Sequence, residues 1–115
     1  MEAKPQHILH YHTTDGGCPF VEWFDSLRDR RAQLRIDARL ARVELGNFGD
    51  AKGVGDGVLE LRIDYGPGYR VYLGRDGYQV VVLLLGGDKR KQSKDITQAK
   101  DYWADYKARK PENSP

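Results

Sequence analysis

ELRIDYGPGYRVYL, residues 60–73, followed after a short turn by VVVLLLGGDKRKQ, residues 80–92, decides how this chain folds. In the first stretch Leu61, Ile63 and Tyr65 alternate with Glu60, Arg62 and Asp64, and further on Tyr69, Val71 and Leu73 oppose Arg70 and Tyr72. A period of two gives each strand one dry and one wet face. Gly66-Pro67-Gly68 makes the connection, Asp76-Gly77 is hairpin sequence, and YQVVVLLL, residues 78–85, has the unbroken apolar character of a central strand. These runs predict an antiparallel meander. Its wet face, with the Lys89-Arg90-Lys91 cluster after Gly86-Gly87, gathers cations at one end of the sheet.

Working outward, HILHYH, residues 7–12, reads as a first strand, with Ile8, His10 and His12 on one side and His7, Leu9 and Tyr11 on the other. Pro19 opens a short helix whose Phe20, Trp23, Phe24 and Leu27 follow i, i+3, i+4, i+7 spacing. A longer helix is predicted from Asp29 to about Leu45. At 100° per residue it carries one apolar arc of Ala32, Ile36, Leu40 and Val43 and an opposite one of Leu34, Ala38, Ala41 and Leu45. Between them Arg28, Arg31, Arg35, Arg39 and Arg42 form a basic stripe, either a nucleic-acid contact or a solvated edge. Residues 46–57 read as loop, and a last helix runs from about Ser93 or Asp95 to Arg109. The order strand, two helices, three strands, helix argues for an α+β fold with a mainly antiparallel sheet covered on one face.

At 115 residues the chain fits one domain, residues 1–110, with a frayed tail at 111–115. Nineteen basic against seventeen acidic residues give a net charge of +2, too mild by itself to imply a polyanion partner. Cys18 is the single cysteine, which excludes an internal disulfide and suits a reducing, cytoplasmic setting. No apolar run approaches the roughly 20 residues that cross a bilayer, so no membrane partner is expected.

The three histidines do not share a strand face and have no accompanying ligand motif, and neither a phosphate loop nor a dinucleotide fingerprint is present, so no metal or cofactor is predicted. The chemistry-bearing group is therefore Glu60, Arg62, Asp64, Arg70 and Tyr72 with Lys89, Arg90, Lys91 and Gln92. Guanidinium groups are forked, permanently charged donors that match phosphate oxygens. The plainer reading pairs Arg62 with Glu60 or Asp64 as cross-strand charges on a solvated face.

The segments FVEWFDSL (20–27), RIDARLARVELGNFGDAKGVGDGVLELRIDYGPGYRVYL (35–73) and VVLLLGGDKRKQSKDITQAKDYW (81–103) closely resemble addiction-module killer proteins of the HigB type, within the RelE/ParE toxin superfamily. The succession ELR, GPGYR, GGDK is the specific part of the match. The resemblance implies a RelE/ParE-like fold: two N-terminal helices packed on one side of a twisted, mainly antiparallel sheet, a C-terminal helix, and a concave polar surface on the other side. It implies the toxin of a type II toxin–antitoxin pair, a metal-independent endoribonuclease that cleaves mRNA at the ribosome and is neutralised by a helix-turn-helix antitoxin. Arg62 and Arg70 would contact the scissile phosphate, Lys89 and Arg90 would add charge or proton transfer, and Lys91 and Gln92 would bind substrate. Tyr72 would stack on a base, and Arg31, Arg35, Arg39 and Arg42 would touch RNA backbone or ribosome. The antitoxin would cover the Leu34, Ala38, Ala41, Leu45 stripe. The sequence departs from the family in QSKDI, residues 92–96, where relatives often carry a tyrosine or histidine as acid or base; either Lys89, Lys91 or Asp95 substitutes, or catalysis relies on the ribosome, or activity is weak. Two other readings stay open, a ParE-like gyrase inhibitor without nuclease activity and a catalytically silent, antitoxin-binding regulator.

Overall fold

The computed structural model describes residues 4–110; the expected tail at 111–115 lies outside them. In chain order the elements are β1 (His7–His10), α1 (Pro19–Ser26), α2 (Arg30–Glu44), β2 (Ala51–Gly55), β3 (Val58–Ile63), β4 (Tyr69–Asp76), β5 (Val80–Asp88), a single 3-10 turn (Lys89–Lys91) and α3 (Gln92–Arg109). The strands form one five-stranded sheet in the order β1-β5-β4-β3-β2. β2, β3, β4 and β5 pair antiparallel, while β1 runs parallel to β5 along the far edge.

This corrects the expected fold. The sheet is mixed and dominates the molecule, the N-terminal helices are short at 8 and 15 residues, and helices occupy both faces, so the RelE/ParE-like layout is not the one observed. The overlooked strand is β2, whose sequence AKGVG has too many glycines to alternate visibly. It needs only hydrogen bonds from β3, and the two-residue turn Asp56-Gly57, with φ of 55° and 85°, supplies the hairpin. β1 joins on the other side, with the amide of His7 donating to Gln79 and that of Tyr11 to Leu83.

Alternation divides the core in two. Leu61, Ile63, Val71, Leu73, Val81 and Leu83 face α1 and α2, where they meet Phe20, Ala32, Ile36 and Val43. Val58, Tyr72, Val82 and Leu84 point the other way and are covered by Ala99 and Trp103 of α3. Glycines let the helices approach: a Cβ at Gly86 would lie 2.0 Å from the Trp23 ring, and one at Gly74 would lie 2.4 Å from that of Trp103. The apolar arc of Ala32, Ile36 and Val43 is buried as its spacing predicts, whereas Leu34 and Leu45 on the opposite arc remain exposed. Asp29 caps α2 by accepting from the amides of Arg31 and Ala32, and Tyr65 donates its hydroxyl to the same carboxylate at 2.9 Å. That bond fixes the start of α2 beside the GPG turn.

Candidate functional site

Sheet register brings the expected cations together. Glu60 stands opposite Tyr72, and Arg62 opposite Arg70, all on the face that α3 partly covers. Glu60 is fully buried, and its carboxylate organises the rest. Oε1 accepts from Arg62 Nε at 3.1 Å and lies 3.8 Å from Arg70 Nε; Oε2 accepts from the Tyr72 hydroxyl at 3.1 Å and from Gln92 Nε2 at 2.8 Å. Burial pushes the Glu60 carboxyl up, but donation from Gln92, Arg62 and Tyr72 and the Arg70 charge outweigh it, so the group is held below the usual carboxylate range. One buried anion thus holds two guanidinium groups side by side.

Those guanidinium groups border an open groove of about 390 Å³, lined also by Asp50, Ile63, Asp64, the Gly66-Pro67-Gly68 turn and Lys89. Arg70 is anchored further by donating Nη1 to the carbonyls of Gly68 and Tyr69. Arg62 is freer, with 37% of its side chain exposed against 11% for Arg70. The 3-10 turn after β5 is capped by Asp88, whose side chain accepts from the Arg90 amide, and it projects Lys89 into the groove.

Other expected site residues sit elsewhere. Arg90 is well exposed and pairs with Asp88 at 3.3 Å, and Lys91 is exposed, so neither lines the groove. Gln92 spends its amide on Glu60. Tyr72 is completely buried, which corrects the stacking role, since no ring face is left for a base; burial, then the neighbouring Glu60 carboxylate, push its hydroxyl far up. Arg39 is also corrected. It is 6% exposed and donates to the carbonyls of Phe48, Asp50 and Arg62, tying α2 to the β2–β3 hairpin. Arg31, Arg35 and Arg42 remain on the surface; Arg35 lies over the Tyr65 ring, and Arg35 and Arg42 border a second groove that shares Ile63 and Asp64 with the first.

Asp95 carries the one unexplained carboxylate here. Its Oδ2 is buried without a partner and occupies the space over Gly87, 2.0 Å from where a Cβ would be. Burial, then repulsion from Asp88, push its pKa up. Glu60 is the residue whose weight sequence reasoning missed. Alternation placed Glu60 with the arginines, but only tertiary packing aims Gln92 and Tyr72 at it.

No family model matches the chain. A Haemophilus influenzae protein described as an uncharacterized protein is 54% identical over 81 residues, covering 70% of this chain and 82% of that protein. The chain belongs to the same family as that protein. No helix among the described residues is long and apolar enough to cross a membrane.

Proposed function

We propose that this protein is the toxin of a type II toxin–antitoxin pair and a metal-independent endoribonuclease that cleaves mRNA at the ribosome, acting in the cytoplasm and neutralised by a helix-turn-helix antitoxin. The observation that carries the reading is the buried Glu60 carboxylate holding Arg62 and Arg70 beside one groove with Lys89 at its margin. The likeness of ELR, GPGYR and GGDK to HigB-type killer proteins supplies the substrate.

In this reaction the RNA's own 2′-oxygen attacks the adjacent phosphorus. A bond forms between them, the bond to the 5′-oxygen breaks, the 2′-hydroxyl proton leaves to a base and the 5′-oxygen takes up a proton, giving a 2′,3′-cyclic phosphate and a 5′-hydroxyl. The phosphorane carries extra negative charge, so fixed cations favour it over the ground state. Arg70, locked by two carbonyls and Glu60, is the preorganised donor. Arg62, more exposed, reaches the non-bridging oxygens, and Lys89, beside Arg70 at the Gly68 turn, adds charge at the margin.

Induced expression without the neighbouring gene, with primer extension of cellular mRNA, tests the reading. Wild-type chain is expected to arrest growth and leave cut messages, while Arg62→Ala and Arg70→Ala fold but do neither. Persisting toxicity in both variants overturns the site. DNA breaks with intact mRNA would identify a gyrase poison instead, and unimpeded growth a silent regulator.

A further inference from the structure

A second set of cations follows the β2 edge of the sheet away from Arg62. Lys52 of β2 is exposed and stands opposite Glu60 in the β2–β3 register, hence on the α3 face. Further along, Lys100 of α3 lays its ammonium over Gly55, 2.9 Å from where a Cβ on that glycine would be. Beyond it, Lys100 and Lys107 border an open groove of about 610 Å³ with Asp56, Gly57 and Trp103, whereas the guanidinium of Arg75 at its rim lies over the Phe48 ring on the other face. At about 3.3 Å per residue, the strand from Gly57 to Arg62 spans roughly 16 Å, and Lys52 lies between its ends.

The groove at the far end offers charge and little else. Trp103 is 5% exposed, stacked on Tyr106 at 5.3 Å, with the Lys107 ammonium 5.5 Å from its ring centre, so it presents no platform for a base. Asp56 is the one carboxylate among the groove's lining residues. A row of ammonium groups without a base platform suits the sugar–phosphate backbone, which positions a strand without reading its sequence.

We infer that Lys52, Lys100 and Lys107 form a backbone-binding track that guides the RNA strand along the β2 edge, away from the Arg62–Arg70 groove. The inference rests on the ribonuclease reading and extends its substrate contact to a face that reading does not use. Base identity is not read here; the track sets the strand's direction.

Fluorescence anisotropy with a short single strand of 2′-O-methyl RNA tests it, since the blocked 2′-oxygen prevents cleavage. Binding is measured over a salt series for wild type and for the triple variant Lys52→Gln, Lys100→Gln, Lys107→Gln, with thermal melts to check folding. At about 0.7 per cation, loss of the three charges should lower the slope of log K against log salt by about 2 and weaken binding at low salt by tenfold or more. Replacing the same lysines by arginine should restore both. Wild-type affinity and slope in the folded triple glutamine variant overturn the track, as does failure of wild type to bind the strand. Cellular mRNA cleavage that depends on Arg70 would leave the ribonuclease reading standing in either case. Absent cleavage with the predicted slope change would instead retain the track and remove the ribonuclease assignment.

Discussion

Gln92, the first residue of α3, donates its side-chain amide to Glu60 at the centre of β3 across 2.8 Å. That bond couples the position of a helix to the arginine pair, because the same carboxylate takes Arg62, Arg70 and Tyr72.

Glu60→Gln should therefore disturb stability and site together. The amide keeps one acceptor but presents two donors to Arg62, Arg70 and Gln92, and buried donors facing donors cost about 2 kcal/mol. The folded Glu60 carboxyl titrates below its unfolded value, so its contribution is present above the unfolded pKa of about 4.3 and is lost as pH falls through the lower folded value. Urea midpoints of wild type and variant should differ clearly at pH 7 and converge as pH falls through the lowered folded value. A constant gap across that range would show that Glu60 does not hold the arginines as a carboxylate.

Arg39 behaves unlike its neighbours on the arginine stripe. Its guanidinium satisfies three carbonyls, and Arg39→Ala strands them in a closed space, a loss of about 3 kcal/mol. Arg39→Lys should recover only part, since one ammonium does not reproduce the fork. Arg31→Ala and Arg42→Ala should fall within about 0.5 kcal/mol of wild type. Equal effects at all three positions in chemical denaturation would contradict the buried role.

Much of this was open to a reader of the sequence. The meander shows because Leu61, Ile63, Val71 and Leu73 alternate with polar residues, and α2 shows because Ala32, Ile36 and Val43 share one arc. The class of fold did not follow. The edges of the sheet settle it, and there local pattern is weakest: β2 is held by β3 alone, and nothing in HILHYH says that its partner is β5 or that they run parallel. Arg39 differs from Arg35 only in meeting carbonyls from residues 48, 50 and 62, a long-range coincidence. Arg62 and Arg70 were legible as a pair, but their fixation by Glu60 requires α3 to deliver Gln92.

Gly87 and Asp95 form a packed pair that a double-mutant cycle can isolate. Gly87→Ala drives a methyl group into Asp95 Oδ2 and should cost about 2 kcal/mol. Asp95→Ala removes the obstacle and an unpartnered buried oxygen, so the double variant should recover at least half of that loss. Additive losses would place the strain of Gly87→Ala elsewhere. Because the folded Asp95 carboxyl titrates above its ordinary value, its ionisation opposes folding, and wild-type stability gains relative to Asp95→Asn as pH falls toward the unfolded value of about 3.9.

Tyr72→Phe tests whether the Tyr72 hydroxyl serves Glu60 or substrate. The ring is wholly buried between β3, β5 and α3, and its hydroxyl serves Glu60. Removing that hydroxyl deletes one donor to a carboxylate that keeps Gln92 and Arg62, a cost of about 1 kcal/mol. RNA affinity should stay within about twofold of wild type, since a hydroxyl bound to Glu60 makes no contact with RNA. Tyr72→Ala opens a cavity and should lower thermal stability steeply, about 3 kcal/mol or more, so the comparison belongs with the phenylalanine variant. A large loss of RNA binding in Tyr72→Phe, with its melting temperature preserved, would show that the hydroxyl reaches substrate and that α3 moves off the sheet when RNA enters.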